Sequence, residues 1–225
     1  MRTAAILPVK RFAHAKQRLG ASVADRLRLD LAAAMVDDVL DALARTDGLA
    51  LRIVVTSEPS VADSARRSGA IVVRDAPESG QSAAVALGIE RALEHGAERV
   101  LCVPGDCPAL DAPELSQLLA AAGDAGPRVV IVPDRHGTGT NGLLLSPPRA
   151  IEPSFGLGSC ERHRALAAAA GADCRVARLP TLLLDIDTGA DLHELRERLA
   201  AHPGGAERTR ATLGAAELDP LPSGA

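Results

Sequence analysis

RVLCVPGDCP, residues 99–108, decides how the chain is read. Val100 to Val103 is an apolar run of strand length, and Pro104-Gly105-Asp106 ends it with a turn that projects a carboxylate. A short apolar run bounded by Pro and Gly marks a buried strand. Ligands of open α/β sheets lie off the carboxyl ends of the strands, so Asp106 stands where chemistry is expected.

The same grammar extends to both sides. Apolar runs alternate with segments of helical period, which predicts a mainly parallel sheet flanked by helices. Strands are expected at 3–7, 51–56, 70–73, 100–103, 129–132, 143–145, 174–179 and 181–186. Helices are expected from Ser22 to Asp47-Gly48, with Leu27, Leu31, Met35, Val39 and Leu43 inward, and over 62–68, 81–94, 113–122 and 160–170. A last helix starts at Thr188, with Asp191 as its capping-box partner and Leu192, Leu195 and Leu199 inward. From His202 onward PGG, scattered charges and LPSGA read as a loosely held tail, so the boundaries are a domain over 1–201 and a tail over 202–225.

Composition narrows the function. At 225 residues the chain suits one substantial core. A net charge of −4 argues against a nucleic-acid groove, and with no Trp or Tyr and two Phe there is no stacking platform for bases. No apolar run approaches the length of a membrane span, and MRTAAILPVKRF is broken by Pro8, Lys10 and Arg11 before an export signal could form. A cytoplasmic protein is expected. Cys102, Cys107, Cys160 and Cys174 form no C-x-x-C pair and read as ordinary thiols.

Candidate site residues cluster at predicted strand ends. PVKRFAHAKQRL, residues 8–19, carries no glycine-rich phosphate loop but puts Lys10, Arg11, Lys16 and Arg18 at the sheet edge that holds Asp106. This is either a triphosphate site or a solvated charge run. Asp185-Ile186-Asp187 places two carboxylates on one face at a period of two. With Asp106 they suit a magnesium ion, although Asp187 beside Thr188 also fits a helix start. Gly156, Gly158 and Ser159 would let backbone amides at a helix start face an anion. His136 and His163 are expected to bind or pack, because a phosphate nucleophile is largely ionised at neutral pH and needs no base.

The loop DRHGTGTNG, residues 134–142, is richer in hydrogen-bonding groups than a hairpin needs. Taken with PVK, AKQRL, PGDCPAL, FGLGS followed by His163, and DIDTGADL, it resembles the guanylyltransferases that activate a three-carbon phosphate for biosynthesis of the deazaflavin coenzyme F-420. The resemblance covers residues 3 to 199. It implies a single-domain, Rossmann-like three-layer sandwich of the nucleotide-diphospho-sugar transferase type. It further implies transfer of GMP from GTP to phosphoenolpyruvate, or to 2-phospho-L-lactate or 3-phospho-D-glycerate, with release of pyrophosphate.

Carried over by motif, Asp106, Asp185 and Asp187 would hold magnesium, and Thr140, Gly156 and Ser159 the three-carbon acid. Pro8, Lys10, Lys16, Arg18, Gly80 and Ser82 would hold the nucleotide, with Lys16 and Asp106 in the catalytic part. Gly80-Gln81-Ser82 has the GQS form of the broader nucleotidyltransferase group, so guanine preference is implied by the family and not by that segment. The rivals are other nucleotidyltransferases and a non-catalytic nucleotide-binding module. A downstream transferase is expected as a partner, since a phosphoanhydride of an enol acid is labile.

Overall fold

The computed structural model describes residues 1–14, 19–21, 23–75, 80–123 and 126–218. Lys16, Arg18 and Ser22, the expected start of the first helix, lie outside the described residues.

The strands are β1 (Thr3–Val9), β2 (Leu49–Thr56), β3 (Ile71–Arg74), β4 (Arg99–Cys102), β5 (Arg128–Pro133), β6 (Thr140–Ser146) and β7 (Asp173–Val176). Among the described residues they form one seven-stranded sheet in the order β3-β2-β1-β4-β6-β5-β7. All pairings are parallel except those of β6, which runs antiparallel to both β4 and β5. The sheet is therefore mainly parallel and mixed, as expected, and residues 134–139 link the one hairpin in it.

Continuous apolar runs in the strands follow from burial on both faces. In β1, Ala5, Leu7 and Val9 face one core, while Ala4 and Ile6 face the other. The first core is covered by α1 (Asp25–Ala44), α2 (Pro59–Arg67) and α4 (Ala112–Ala121). The second is covered by α3 (Gln81–Glu94) and α5 (Ser159–Ala169), which completes three layers. Gly88 lets α3 lie close against β1, since a Cβ there would sit 2.4 Å from Cγ2 of Ile6.

Two expectations fail. Residues 181–186 are not a strand: Pro180–Leu182 is a 3-10 turn and the chain beyond it is irregular. The alternation was read correctly, because Leu182, Leu184 and Ile186 are buried. What is missing is a neighbouring strand; the Ile186 amide donates to the Asp106 carbonyl at 3.1 Å, and no ladder forms.

Nor is the segment after His202 a loose tail over its described length. After α6 (Gly189–Ala201), α7 (Glu207–Leu218) packs on α1, burying Thr209 and Leu213. Asp38 of α1 accepts from the amides of Arg208 at 3.0 Å and Thr209 at 2.8 Å, meeting donors that a helix start leaves unpaired. Ile186, Leu192, Leu195 and Leu213 join Leu31 and Met35 of α1 in a third cluster.

Candidate active site

A cavity of about 340 Å³ opens at the carboxyl edge of the sheet, a size that suits a small-molecule site. Pro8 and Lys10 from the end of β1, Gly80 and Gln81 from the start of α3, Asp106 after β4, Thr140 and Asn141 at the start of β6, and Asp185 and Asp187 all line it. The structure thus gathers seven of the sequence-predicted residues, Pro8, Lys10, Gly80, Asp106, Thr140, Asp185 and Asp187, from five separate stretches of chain.

Asp185 and Asp187 are positioned from both sides. Asn141 Nδ2 donates to Asp185 Oδ1 at 3.2 Å, and also reaches the carbonyls of Leu182 at 3.0 Å and Leu183 at 3.3 Å. On the far side Asp191 accepts from the amides of Asp187 and Thr188, while Thr188 closes the capping box expected from the sequence. Arg135, from the loop before β6, pairs with Asp191 and Glu194.

Burial pushes the Asp185 carboxyl above its ordinary pKa, and the charge of Asp106 adds to it; the Asn141 bond opposes them and the charge of Asp187 reinforces them. For Asp191 burial also pushes upward, but the Thr188 hydroxyl, the two amides and Arg135 outweigh it and hold the carboxyl below the ordinary value. Crowded anions on one side of a cavity and a firmly ionised carboxylate behind them form a site that favours a cation.

The described residues contain no ready-made group of three His, Cys, Asp or Glu for an ion. Magnesium does not require one, because it binds through one or two carboxylates together with substrate phosphates and water. The donor set of Asp106, Asp185 and Asp187 fits that ion in the presence of a polyphosphate.

The residues expected to hold a three-carbon acid are arranged differently. Thr140 lines the cavity, whereas Ser159 is buried behind it and donates from Oγ to Thr140 Oγ1 at 3.1 Å. His163 has no exposed surface; its Nε2 accepts from the Ser154 amide at 2.9 Å, and its Nδ1 lies 3.1 Å from Thr140 Oγ1. Since Nε2 is an acceptor, the proton of the neutral ring is on Nδ1 and donates to Thr140. Burial, with a smaller effect from Arg162, lowers the His163 pKa to about 4, in keeping with a neutral ring. Thr140 Oγ1 accepts twice, so its own hydroxyl proton is available to an acceptor in the cavity.

Phe155 meets His163 edge-on, with ring centroids 5.2 Å apart, and its amide donates to Ser82 Oγ at 2.9 Å. Ser82 therefore braces the 155–159 loop and does not line the cavity; Gly156, at φ +106°, and Ser159 are likewise outside the lining. The expected anion cradle is reduced, because the Ser159 and Cys160 amides already bond to the carbonyls of Gly156 and Thr138. Arg162 donates to the carbonyls of Ser154, Phe155 and Leu157 and holds the loop in shape.

Sequence reasoning missed the supporting roles of Asn141, Arg135 and Arg162, which depend on partners distant in the chain or across a loop. It also missed Asp75, a buried lining residue just after β3. The signal was present, since Asp75 follows an apolar strand as Asp106 follows its own.

The open mixed sheet with carboxylates and a lysine at its carboxyl edge has the fold of the nucleotide-diphospho-sugar transferase group. A protein of Desulfovibrio desulfuricans G20 named for that group superposes with a TM-score of 0.75 at 16% identity, covering 97% of this chain and 96% of its own. CMP:2-keto-3-deoxy-manno-octonic acid synthetase, solved with CTP, superposes at 0.61 and 12% identity, covering 89% and 99%.

Sequence is more specific. The profile of the family described as "Guanylyl transferase CofC like" matches residues 3–202, and the chain belongs to that family. A phosphoenolpyruvate guanylyltransferase of Conexibacter woesei is 50% identical over 213 residues, 95% of this chain and 96% of the relative. Another, of Sphaerobacter thermophilus, is 42% identical over 87% and 93%.

Proposed function

We propose that this protein transfers GMP from GTP to phosphoenolpyruvate, giving enolpyruvyl-diphospho-guanosine and pyrophosphate, in biosynthesis of coenzyme F-420. One observation carries the reading: Lys10, Asp106, Asp185, Asp187 and Thr140 converge on one cavity in a member of a guanylyl transferase family. GTP and phosphoenolpyruvate are metabolites of the cell interior, so the reaction belongs in the cytoplasm. Among the described residues no helix is long and apolar enough to cross a membrane.

The acceptor phosphate attacks the α-phosphorus of GTP in line, the bond to the bridging oxygen of the β-phosphate breaks, and pyrophosphate leaves with those electrons. The acceptor needs no proton removed, which suits a site whose buried histidine has both ring nitrogens engaged. Lys10, just after β1, lines the cavity and would offset the polyphosphate charge, with Lys16 and Arg18 proposed for the same task. Asp106, Asp185 and Asp187 would hold magnesium, which when bound neutralises phosphate charge and stabilises the transferring group. Thr140 would donate its hydroxyl proton to the small acid, while His163 and Ser159 fix its direction. Gly80 at the start of α3 would lie against the nucleotide, and Gly156 would shape the acid's loop.

The test is magnesium-dependent pyrophosphate release from GTP with phosphoenolpyruvate, 2-phospho-L-lactate and 3-phospho-D-glycerate in parallel, coupled to pyrophosphatase and the downstream transferase. Release with phosphoenolpyruvate that is abolished in Asp185→Asn is expected. Release with a different acid would reassign the acceptor, and GTP binding without release from any acid would favour a non-catalytic module.

A further inference from the structure

We propose that Asp75 is the residue that selects guanine, its carboxylate accepting hydrogen bonds from N1–H and the N2 amine of the base; this rests on the reading of GTP as the nucleotide. Asp75 is 4% exposed and lines the cavity beside Gly80, Gln81 and Ala84. Its backbone is spoken for, since the amide donates to the Thr56 carbonyl at 3.3 Å and the carbonyl accepts from the Ser57 hydroxyl. Its side-chain Oδ1 is not. Oδ1 is shielded from solvent, and among the described residues no donor reaches it.

A buried carboxylate oxygen without a donor loses its hydration and gains nothing in return. Such a group in a ligand cavity calls for a ligand that brings donors. A carboxylate accepts and does not donate, so it suits an edge with two adjacent N–H groups. Guanine has that edge, with N1–H beside the C2 amine. Adenine and cytosine each place a lone pair beside their amine, and uracil has one N–H between two carbonyls. Asp75 therefore attracts guanine and repels the other bases, and repulsion is half of specificity. A cation is the other chemistry a carboxylate suits, and one held here in place of the base would leave GTP and ITP bound equally.

Position agrees with chemistry. Asp75 follows β3 and Asp106 follows β4, and these strands are three places apart in the sheet. At about 4.8 Å per place the separation along the edge is roughly 14 Å. A nucleotide lying across β2 and β1 would put its base at Asp75 and its phosphates between Lys10 and the three aspartates. This also accounts for the missing guanine signal in Gly80-Gln81-Ser82: Ser82 Oγ is engaged with Phe155, and discrimination falls to the acid five residues before Gly80.

The experiment is calorimetric binding of GTP, ITP and XTP to the full chain and to Asp75→Asn, with pyrophosphate release measured alongside. ITP lacks the C2 amine, so the unaltered protein is expected to bind it about tenfold to a hundredfold more weakly than GTP, the range for one hydrogen bond to a charged group. An asparagine presents one acceptor and one donor, matching N1–H and the C2 carbonyl of xanthine. Asp75→Asn is thus expected to lose at least about tenfold for GTP and to gain a similar factor for XTP.

Equal binding of GTP and ITP by the unaltered protein would overturn the proposal, as would a folded Asp75→Asn that keeps its GTP preference. Should that variant not fold, Asp75→Ser carries the contrast: a GTP to ITP ratio near one supports the assignment, and a retained ratio overturns it. Failure of the unaltered protein to bind GTP would overturn both readings, whereas discriminating binding without pyrophosphate release would support Asp75 and sink only the proposed reaction.

Discussion

Asn141 is the test of how the aspartates are held. The residue is 7% exposed, and its amide offers two protons to three acceptors, the carbonyls of Leu182 and Leu183 and Oδ1 of Asp185. Asn141→Ala removes both protons and leaves those oxygens poorly served. A neutral bond is worth about 1 kcal/mol and one to a carboxylate about 1.5 to 3, so a loss of about 2 to 4 kcal/mol is expected. For a chain of this length that lowers the melting temperature by roughly 5 to 15 °C, and the protein still folds.

Asn141→Asp sharpens the argument. At neutral pH it opposes acceptor to acceptor and should cost more than alanine despite equal size. The new carboxyl would have a raised folded-state pKa, so its stability contribution is present at low pH and falls as pH rises. Melts of both variants and the parent from pH 4 to 8 check this, with pyrophosphate release expected to fall in step. An alanine variant within about 1 kcal/mol of the parent, or an aspartate variant no worse than alanine and flat in pH, would refute the reasoning.

Three further outcomes follow from the same geometry. Because the folded-state pKa of Asp185 is raised, ionising it costs the ligand-free protein stability as pH rises past the ordinary Asp range. Asp185→Asn should therefore melt higher than the parent at pH 7 and converge with it in acid, even as pyrophosphate release is lost. His163, lowered to about 4 from 6.5, binds its proton more tightly unfolded than folded, so its contribution grows as pH rises from about 4 to 6.5 and is lost on acidification. The melting difference between the parent and His163→Gln should widen as pH rises through that window and shrink on acidification, and kcat should show no step assignable to this ring near pH 6.5. Asp38→Ala should cost about 1 to 2 kcal/mol by uncapping α7, and hydrogen exchange should speed up in residues 207–218 before the rest of the chain.

How far the fold was legible depended on whether the deciding contacts were local. Helix Gln81–Glu94 and the Thr188–Asp191 capping box needed only periodicity and residues within one turn, and both were read correctly. Residues 181–186 were misread because alternation tells which side chains point inward and is silent on whether a strand lies alongside. The segment after His202 looked loose since α7 has a weak apolar face, yet Asp38 of α1, some 170 residues earlier, supplies its cap. Among the candidate residues, Asp106, Asp185 and Asp187 were legible as carboxylates at chain turns, whereas Asp75 went unread although it sits at an equivalent strand end.

By itself the sequence determined the layered parallel architecture, through apolar runs too continuous for a one-sided sheet, and the acidic and basic residues available at its carboxyl edge. It also determined, through its motifs, the family to which the chain belongs. Only the tertiary structure decided what those residues are for one another: that His163 is neutral with its proton on Nδ1, that Thr140 keeps a hydroxyl proton for the cavity, and that Ser82 and Ser159 act from behind the wall. The reason is physical. Period and composition record the preference of each residue for its neighbours in the chain and for water, while proton positions and charge crowding depend on distances between groups that meet only when the chain has folded.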